Sequence, residues 1–179
     1  KNFRIELDCM VSSVNPQQIE EILERYVDKV YPSPERLKDV LKSGKKLTIY
    51  HGVDPTSPDL HLGHSTNLFL LKKFQKLGHK IILLIGDFTA QIGDPSGKLA
   101  ARKPLSRAQV LENCRTYRNQ AGKILDFKDK KNPVRLEFNS RWLGKLNFGD
   151  LLGVAGHFTV SQMIQRDMFQ KRLEEKKEI

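Results

Sequence analysis

Two apolar segments with a helical segment between them constrain the fold of this chain more than any other feature. The β-branched stretch KLTIYHGV, residues 46–53, is typical of a strand, and the turn-forming residues DPTSPD end it. KIILLIGD, residues 80–87, is a continuous apolar run of the kind found in strands buried on both faces of a parallel sheet. Between them, leucines at helical spacing predict a helix from about His61 to Gly78. The sequence therefore predicts a βαβ unit, because neighbouring parallel strands need such a crossover.

Helices are predicted before this unit. Asn15 and Pro16 form a typical helix start, as N-cap and first helical residue, leading into QQIEEILERYVDKV. A second helix is expected from Pro34 to Gly44, where a left-handed cap should end it. We assign residues 1–45 to this N-terminal helical segment.

Helices and one more strand are also predicted after the βαβ unit. A long polar loop precedes Ser106, which opens the helix RAQVLENCRTYRNQAGKIL through a capping box with Gln109. PVRLEFNS is a third strand candidate, and NFGDLLGVAGH and FTVSQMIQRDMFQKRLEEKK are helical, the latter with a capping box of Thr159 and Gln162. We expect an α/β fold over residues 46–179, an incomplete doubly wound (Rossmann-like) parallel sheet.

Composition limits the class of protein. With 179 residues, 39% of them hydrophobic, the chain can bury one sizeable core. Its longest apolar run, residues 81–85, is too short to span a bilayer, and the first residues lack a signal-peptide pattern, so we expect a cytoplasmic protein without a membrane partner. Cys9 and Cys114 fit buried, reduced thiols. The net charge of +10 suits a polyanionic partner such as nucleic acid or nucleotide phosphate.

The stretch YHGVDPTSPDLHLGH leaves three interpretations open: a metal site, a structural corner satisfied by the backbone, and a phosphate cradle. A zinc site at His61 and His64 would need further ligands, and an HExxH glutamate is absent. The phosphate interpretation gains from the first strand, which delivers Asp54 and Thr56 to the sheet edge just before a helix N-terminus. Gly63 would let a base or ribose approach the backbone.

The loop GDFTAQIGDPSGK follows the second strand and resembles a P-loop only superficially. Gly93 and Gly97 are one residue too close together, and Leu99 stands where Ser or Thr should hold magnesium. Asp94 is instead a carboxylate suited to an ammonium group. Lys98 with Arg102 is a cationic pair suited to phosphates, although for each of these charges a solvated loop position is the alternative.

Together these residues resemble the bacterial-type tyrosyl-tRNA synthetases, a family of class I aminoacyl-tRNA synthetases. His61-Leu62-Gly63-His64 matches the HIGH signature, and GDPSGK together with Tyr50 narrows the match to the tyrosine enzymes. FNSRWLGKL and FTVSQMIQRD extend the resemblance towards residue 179. It implies activation of L-tyrosine by ATP, accompanied by Mg²⁺ without a protein-bound metal, transfer to tRNA(Tyr), and a homodimeric parent protein.

The resemblance also implies residue roles. Tyrosine would be bound by Tyr50 at its phenol, by Asp94 at its ammonium group, and by Asp54. ATP would lie against Gly52, His51, Gly63 and His64, whereas Thr56 and His61 would meet the departing pyrophosphate and Lys98 and Arg102 would close over the phosphates. His51 departs from the family pattern, which often has a small Cys that touches the ribose.

The position of Tyr50 in the first strand is a second reason to expect that it binds the substrate. Within a strand interior, a tyrosine hydroxyl is a costly choice over phenylalanine unless a polar partner arrives to meet it. The substrate phenol would be that partner.

We find no KMSKS-like loop, second half of the nucleotide fold or anticodon-binding domain in the sequence. We therefore expect the chain to be the N-terminal part of the catalytic domain and to be inactive by itself. Two other functions remain open: a non-catalytic nucleotide- or RNA-binding paralogue, and a small HxGH nucleotidyltransferase.

Overall fold

The computed structural model describes residues 15–92, 104–165 and 167–176. The elements in these ranges are α1 (Pro16–Tyr26), α2 (Pro34–Lys42), β1 (Thr48–Val53), α3 (Leu62–Lys76), β2 (Lys80–Ile85), α4 (Thr89–Ile92), α5 (Arg107–Cys114), α6 (Tyr117–Ala121), β3 (Arg135–Phe138), α7 (Ser140–Leu143), α8 (Phe148–Ala155), α9 (Val160–Ile164) and α10 (Asp167–Glu174).

The predicted α/β architecture with a parallel sheet is confirmed. Strands β1, β2 and β3 lie in that order, and both pairs are parallel. The register places Tyr50 beside Ile82 and Ile85 beside Phe138. Because all three strands point the same way, the residues that follow them meet at one carboxyl edge of the sheet.

The core lies against one face of this sheet. Side chains alternate along a strand, and Ile81, Leu83 and Ile85 of β2 are almost fully buried. Helix α3 adds Leu68 and Leu71 to the same cluster. The N-terminal helices share this core through buried residues of α1 and α2, namely Ile19, Ile22, Leu23 and Leu41.

The predicted helix ends are largely confirmed. Asn15 caps α1 by accepting a hydrogen bond from the Gln17 amide, and Gly44 and Gly78 have the positive φ angles of left-handed caps. The capping boxes of Ser106 with Gln109 and of Thr159 with Gln162 are both present. The first helix is shorter than the predicted segment QQIEEILERYVDKV, since α1 ends at Tyr26.

The single helix expected after Ser106 is broken, and that prediction was wrong. The segment after Ser106 forms α5 and then α6, with Arg115 and Thr116 between them. Tyr117 Oη donates to the Ser57 carbonyl at 2.6 Å and Gln120 Nε2 to the Pro58 carbonyl at 2.8 Å. These hydrogen bonds anchor α6 to the β1–α3 loop just after the break. The last segment predicted to be helical contains α9 and α10.

The structure also differs from the sequence-based predictions in two short helices and in the burial of one cysteine. The loop after β2 begins with a helical turn, α4, and α7 follows β3 directly; neither was expected. Cys114 is a free cysteine, as predicted, but it is half-buried rather than buried. Cys9 lies outside the described residues.

Helices α8 and α9 carry apolar side chains that remain exposed. Between 53% and 73% of the surface of Phe148, Leu151, Leu152, Val154 and Val160 is accessible. In α1, α2 and α3, by contrast, most apolar residues are packed, although Leu62 and Phe69 of α3 are exposed. Among the helices of the described ranges, none is long and apolar enough to cross a membrane.

Candidate active site at the carboxyl edge of the sheet

Each of the three strands is followed by a polar residue at the carboxyl edge. Asp54 follows β1, Asp87 lies two residues beyond β2, and Asn139 follows β3. Asp87 and Asn139 are buried, whereas Asp54 is exposed. Asp87 has a structural partner, since its Oδ1 accepts a hydrogen bond from the Ser140 amide at 3.0 Å.

A chain of hydrogen bonds fixes the Asp54 carboxylate. Asn139 Nδ2 donates to Thr89 Oγ1 at 3.0 Å, and Thr89 Oγ1 donates to Asp54 Oδ1 at 2.8 Å. Asn139 is oriented in turn by the Phe88 amide, which donates to its Oδ1 at 2.9 Å. A Cβ at Gly86 would lie 1.7 Å from Asp54 Oδ1, so only glycine leaves room for the carboxylate here. The result is a preorganised anion at the edge of the sheet.

The loop from Asp54 to His61 is held in place by α5 and α6. Besides the contacts of Tyr117 and Gln120, Asn113 Nδ2 donates to the Pro55 carbonyl at 2.9 Å. Gln120 Oε1 also accepts from the Leu60 amide at 2.8 Å. Thr56 is exposed at the start of this loop, where its amide donates to the Asp54 carbonyl. The loop thus has a fixed conformation up to the first residue of α3.

His61 and His64 come together at the N-terminus of α3. Their ring centroids are 3.9 Å apart in a stacked arrangement, and His64 Nδ1 accepts a hydrogen bond from the His61 amide at 3.2 Å. Because Nδ1 of neutral His64 is an acceptor, its proton lies on Nε2, which is left as a donor. A Cβ at Gly63 would approach the His61 ring to 3.0 Å, so glycine allows the imidazole to fold back over the helix start.

Burial lowers the pKa of His64, and the nearby His61 and His51 lower it further. A neutral His64 is therefore favoured at neutral pH. A neutral imidazole can donate a hydrogen bond without pairing its own charge with other groups at the site.

His51 lies under the same edge, on the core-facing side of β1. It is half-buried, burial lowers its pKa, and its Nε2 has no hydrogen-bond partner among the described residues. An unpaired buried donor or acceptor normally costs free energy, and this nitrogen is also closed off from solvent.

Tyr50 and Gly52 point to the opposite face of β1 from His51. Tyr50 is 68% exposed, and no hydrogen bond of its hydroxyl is seen within the described ranges. The expectation of an interior position was wrong, because the core packs on the other face of β1, where Ile49 and Val53 lie. Alternation along the strand puts Tyr50, Gly52 and Asp54 on one open side.

Of the residues selected from the sequence, Tyr50, His51, Gly52, Asp54 and Thr56 lie on β1 and the loop that follows it, and His61, Gly63 and His64 lie at the start of α3. Asp94, Lys98 and Arg102 lie outside the described residues. The described His, Cys, Asp and Glu side chains form no group of three or more that could hold a metal ion. Sequence reasoning missed Gly86, Thr89 and Asn139; a polar residue after each strand end was the available signal.

Comparison with known proteins shows the family to which the chain belongs. The family described as tRNA synthetases class I (W and Y) matches residues 41–179. The tyrosine–tRNA ligase of Carboxydothermus hydrogenoformans is 49% identical over 158 residues, which are 87% of this chain and 38% of that relative. The tyrosine–tRNA ligase of Thermotoga maritima is 46% identical over 162 residues, 90% of this chain and 39% of that protein.

A solved structure shows the same fold. The C-terminally truncated mitochondrial tyrosyl-tRNA synthetase of Coccidioides posadasii superposes with a TM-score of 0.69 at 27% identity, covering 91% of this chain and 47% of that one. The chain spans about two fifths of the length of the curated relatives named above. With a family match over most of its residues, this chain belongs to the class I tRNA synthetases of the W and Y family.

Proposed function

We propose that the full-length protein is a tyrosine–tRNA ligase. In the first step, the carboxylate of L-tyrosine attacks the α-phosphorus of ATP, supplied as its Mg²⁺ complex. The bond from the α-phosphorus to the bridging oxygen breaks, and pyrophosphate leaves with its electron pair. In the second step, a ribose hydroxyl of the terminal adenosine of tRNA(Tyr) attacks the tyrosyl carbonyl, and AMP leaves.

The observation that carries this proposal is the pairing of two histidines at a helix start with a fixed carboxylate on the neighbouring edge. The first amides of α3 have no helical partner and, with the helix dipole, favour an anion. His61 is exposed at that point, and His64 presents its Nε2 proton there. Such donors stabilise charge that develops on pyrophosphate as it departs.

The amino-acid side of the reaction has its own support. Asp54 is an anion oriented by Thr89, suited to the ammonium group of an amino acid, and Tyr50 projects from the same side of β1. From its sequence position, Asp94 is proposed as a second partner of that ammonium group. Gly52 lies between Tyr50 and Asp54 without a side chain, leaving the backbone open to the adenylate.

Three further roles complete the proposal. The Thr56 hydroxyl is exposed beside Asp54 and would bind the β- and γ-phosphates. Lys98 and Arg102 would neutralise the same phosphates, on the grounds of their charge and their place after GDPSG. From its sequence position next to Gly52, His51 is proposed to lie near the ATP ribose.

The test is ATP–pyrophosphate exchange by the full-length protein with single amino acids. Exchange that depends on tyrosine, with at least a thousandfold lower kcat/KM for tryptophan and phenylalanine, is expected, because a site with polar partners for a hydroxyl rejects analogues that lack it. Tyrosyl-tRNA synthetases are themselves the standard example of such rejection, so the expected magnitude is that of the family. Tryptophan-dependent exchange would assign the other branch of the family. No exchange with any amino acid would favour a non-catalytic paralogue or a metabolite nucleotidyltransferase.

We also propose that the full-length protein is a homodimer, working in the cytoplasm where tRNA is charged. The exposed apolar side chains of α8 and α9 support this, since surfaces of this kind are typical of interfaces. Light scattering should give twice the chain mass, and Phe148→Ser with Leu152→Ser should reduce it to one. An unchanged mass in that double variant would exclude this surface as the interface.

A further inference from the structure

A second surface with the chemistry of a binding site lies away from the carboxyl edge. Helix α3, helix α6 and the segment after α6 enclose a groove of about 550 Å³, whose lining includes Lys72, Arg118, Gly122, Leu125, Phe127 and Lys128. We call it the α3–α6 groove. Lys72 is ten residues along α3 from Leu62, which is about 15 Å at the helical rise, so the groove begins well away from the histidine pair.

The groove is strongly cationic. Lys72, Arg118 and Lys128 line it, and none of these three is in an ion pair among the described residues. Lys123, Lys130 and Lys131 add positive charge on the same segment. The surface is therefore suited to a polyanion.

The carboxylates of the segment are already engaged. Asp126 Oδ1 accepts a hydrogen bond from the Lys128 amide at 2.8 Å. Asp129 Oδ1 accepts from the Lys131 and Asn132 amides, and these bonds lower its pKa, with Lys72 contributing to a smaller extent. Asp126 and Asp129 accept hydrogen bonds from the backbone of the turn after α6. The lysine and arginine side chains of this surface outnumber these two carboxylates.

Hydrogen bonds of the buried Gln75 side chain hold the segment after α6 against α3. Gln75 of α3 is 5% exposed; its Nε2 donates to the Asp126 and Asn132 carbonyls at 2.7 and 3.1 Å, and its Oε1 accepts from the Asp126 amide. Asn132 Nδ2 in turn donates to the His79 carbonyl at 2.9 Å. The backbone that carries Phe127 and Lys128 is therefore held beside Lys72 without a ligand.

An arginine guanidinium group packs on an aromatic ring in the α3–α6 groove. The Arg118 guanidinium lies over the Phe127 ring, 5.5 Å from its centroid. Proteins bind single-stranded RNA by combining cations along the phosphates with aromatic rings and arginine planes on which bases stack. Free phosphate or a carboxylate metabolite would use the cations but leave the ring without a role.

We propose that the α3–α6 groove binds single-stranded RNA, with Lys72, Arg118 and Lys128 on the phosphates and the Arg118–Phe127 pair against a base. This site goes beyond the proposed reaction, because it shares no residue with the carboxyl edge. It accounts for part of the excess positive charge of the chain.

The test compares charge-matched variants of the full-length protein. Lys72→Gln, Arg118→Gln and Lys128→Gln are combined in one variant, and Lys29→Gln, Lys42→Gln and Lys145→Gln, all exposed elsewhere, in a control. Binding of a fluorescein-labelled oligouridylate is followed by anisotropy across a salt series. We expect at least a tenfold weaker affinity in the groove variant and a salt slope smaller by about two, since each phosphate contact on a single strand contributes roughly 0.7.

The control should bind like the wild type. Equal loss of affinity in both variants would overturn the proposal, because general electrostatic attraction would then explain binding; unchanged affinity in the groove variant would overturn it as well. Tyrosine-dependent pyrophosphate exchange is measured in parallel and should be unchanged in the groove variant. Absence of exchange in the wild type, with groove-dependent RNA binding intact, would remove the proposed function and leave this inference standing.

Discussion

At the residue scale, Gly63 controls how His61 folds over the start of α3. A Cβ at this position would lie 3.0 Å from the His61 ring, so Gly63→Ala should displace the imidazole while the helix itself tolerates alanine. We expect adenylate formation to fall by roughly tenfold to a hundredfold, the cost of a small misplacement at a reacting centre. The midpoint of urea unfolding should not fall. A variant with full activity would show that the position of this ring is irrelevant.

Tyr50 is the residue on which selectivity for the phenol is tested. Its hydroxyl supplies a neutral hydrogen bond, so Tyr50→Phe should cost about 0.5 to 1.5 kcal/mol in the preference for tyrosine over phenylalanine, a factor of about two to ten. The ratio of kcat/KM for the two amino acids in pyrophosphate exchange measures it. An unchanged ratio would mean that the exposed phenol of Tyr50 does not meet the substrate.

His64 makes stability depend on pH. Its folded-state pKa lies below the ordinary value of 6.5, so the unfolded chain takes up this proton first as the pH falls. The contribution of neutral His64 to the free energy of unfolding is fully present above about pH 6.5, and it is lost as the pH falls through the folded-state pKa. Urea unfolding is measured at about pH 7.5 and about pH 5.5. The free energy of unfolding should decrease less between these pH values in His64→Gln than in the wild type. Equal losses would contradict the assignment.

At the element scale, α6 fixes the loop that leads into the histidine pair. Tyr117 is almost fully buried, and its hydroxyl donates to the Ser57 carbonyl. Tyr117→Phe leaves that carbonyl without its partner and should lower the free energy of unfolding by about 1 kcal/mol. Tyr26→Phe, at a 40% exposed position on α1, is the matched control. Equal effects of the two substitutions would show that the loop anchor contributes nothing of its own.

The elements also show what local sequence can and cannot predict. Strands β1 and β2, the caps at Asn15 and Gly44, and the capping box at Ser106 were predictable because their signals are local. The break at Thr116 was not, since it accompanies contacts between α6 and a loop sixty residues earlier in the chain. Periodicity describes which face of a helix is buried, and it carries no information about such long-range anchors.

At the scale of the whole molecule, the candidate site was predictable in part. His61, Gly63 and His64 form a contiguous motif, and Asp54 follows a strand that its β-branched residues identify. The bonds from Asn139 through Thr89 to Asp54 join three chain segments, so they depend on sheet order and register, which the sequence leaves open. The exposure of Tyr50 was not predictable either, because it depends on which face of β1 the helices cover.

The central claim is that the carboxyl edge of this sheet stabilises the transition state of tyrosine activation. Single-turnover formation of tyrosyl-adenylate by the full-length protein tests it most directly, with His61→Ala compared with Asn67→Ala on the exposed side of the same helix. His61→Ala should lower the rate constant by about a hundredfold, roughly 3 kcal/mol for one lost donor, while the Kd for tyrosine stays within about twofold and Asn67→Ala changes neither. An unchanged rate constant with weakened tyrosine binding would make His61 a structural corner and contradict the claim.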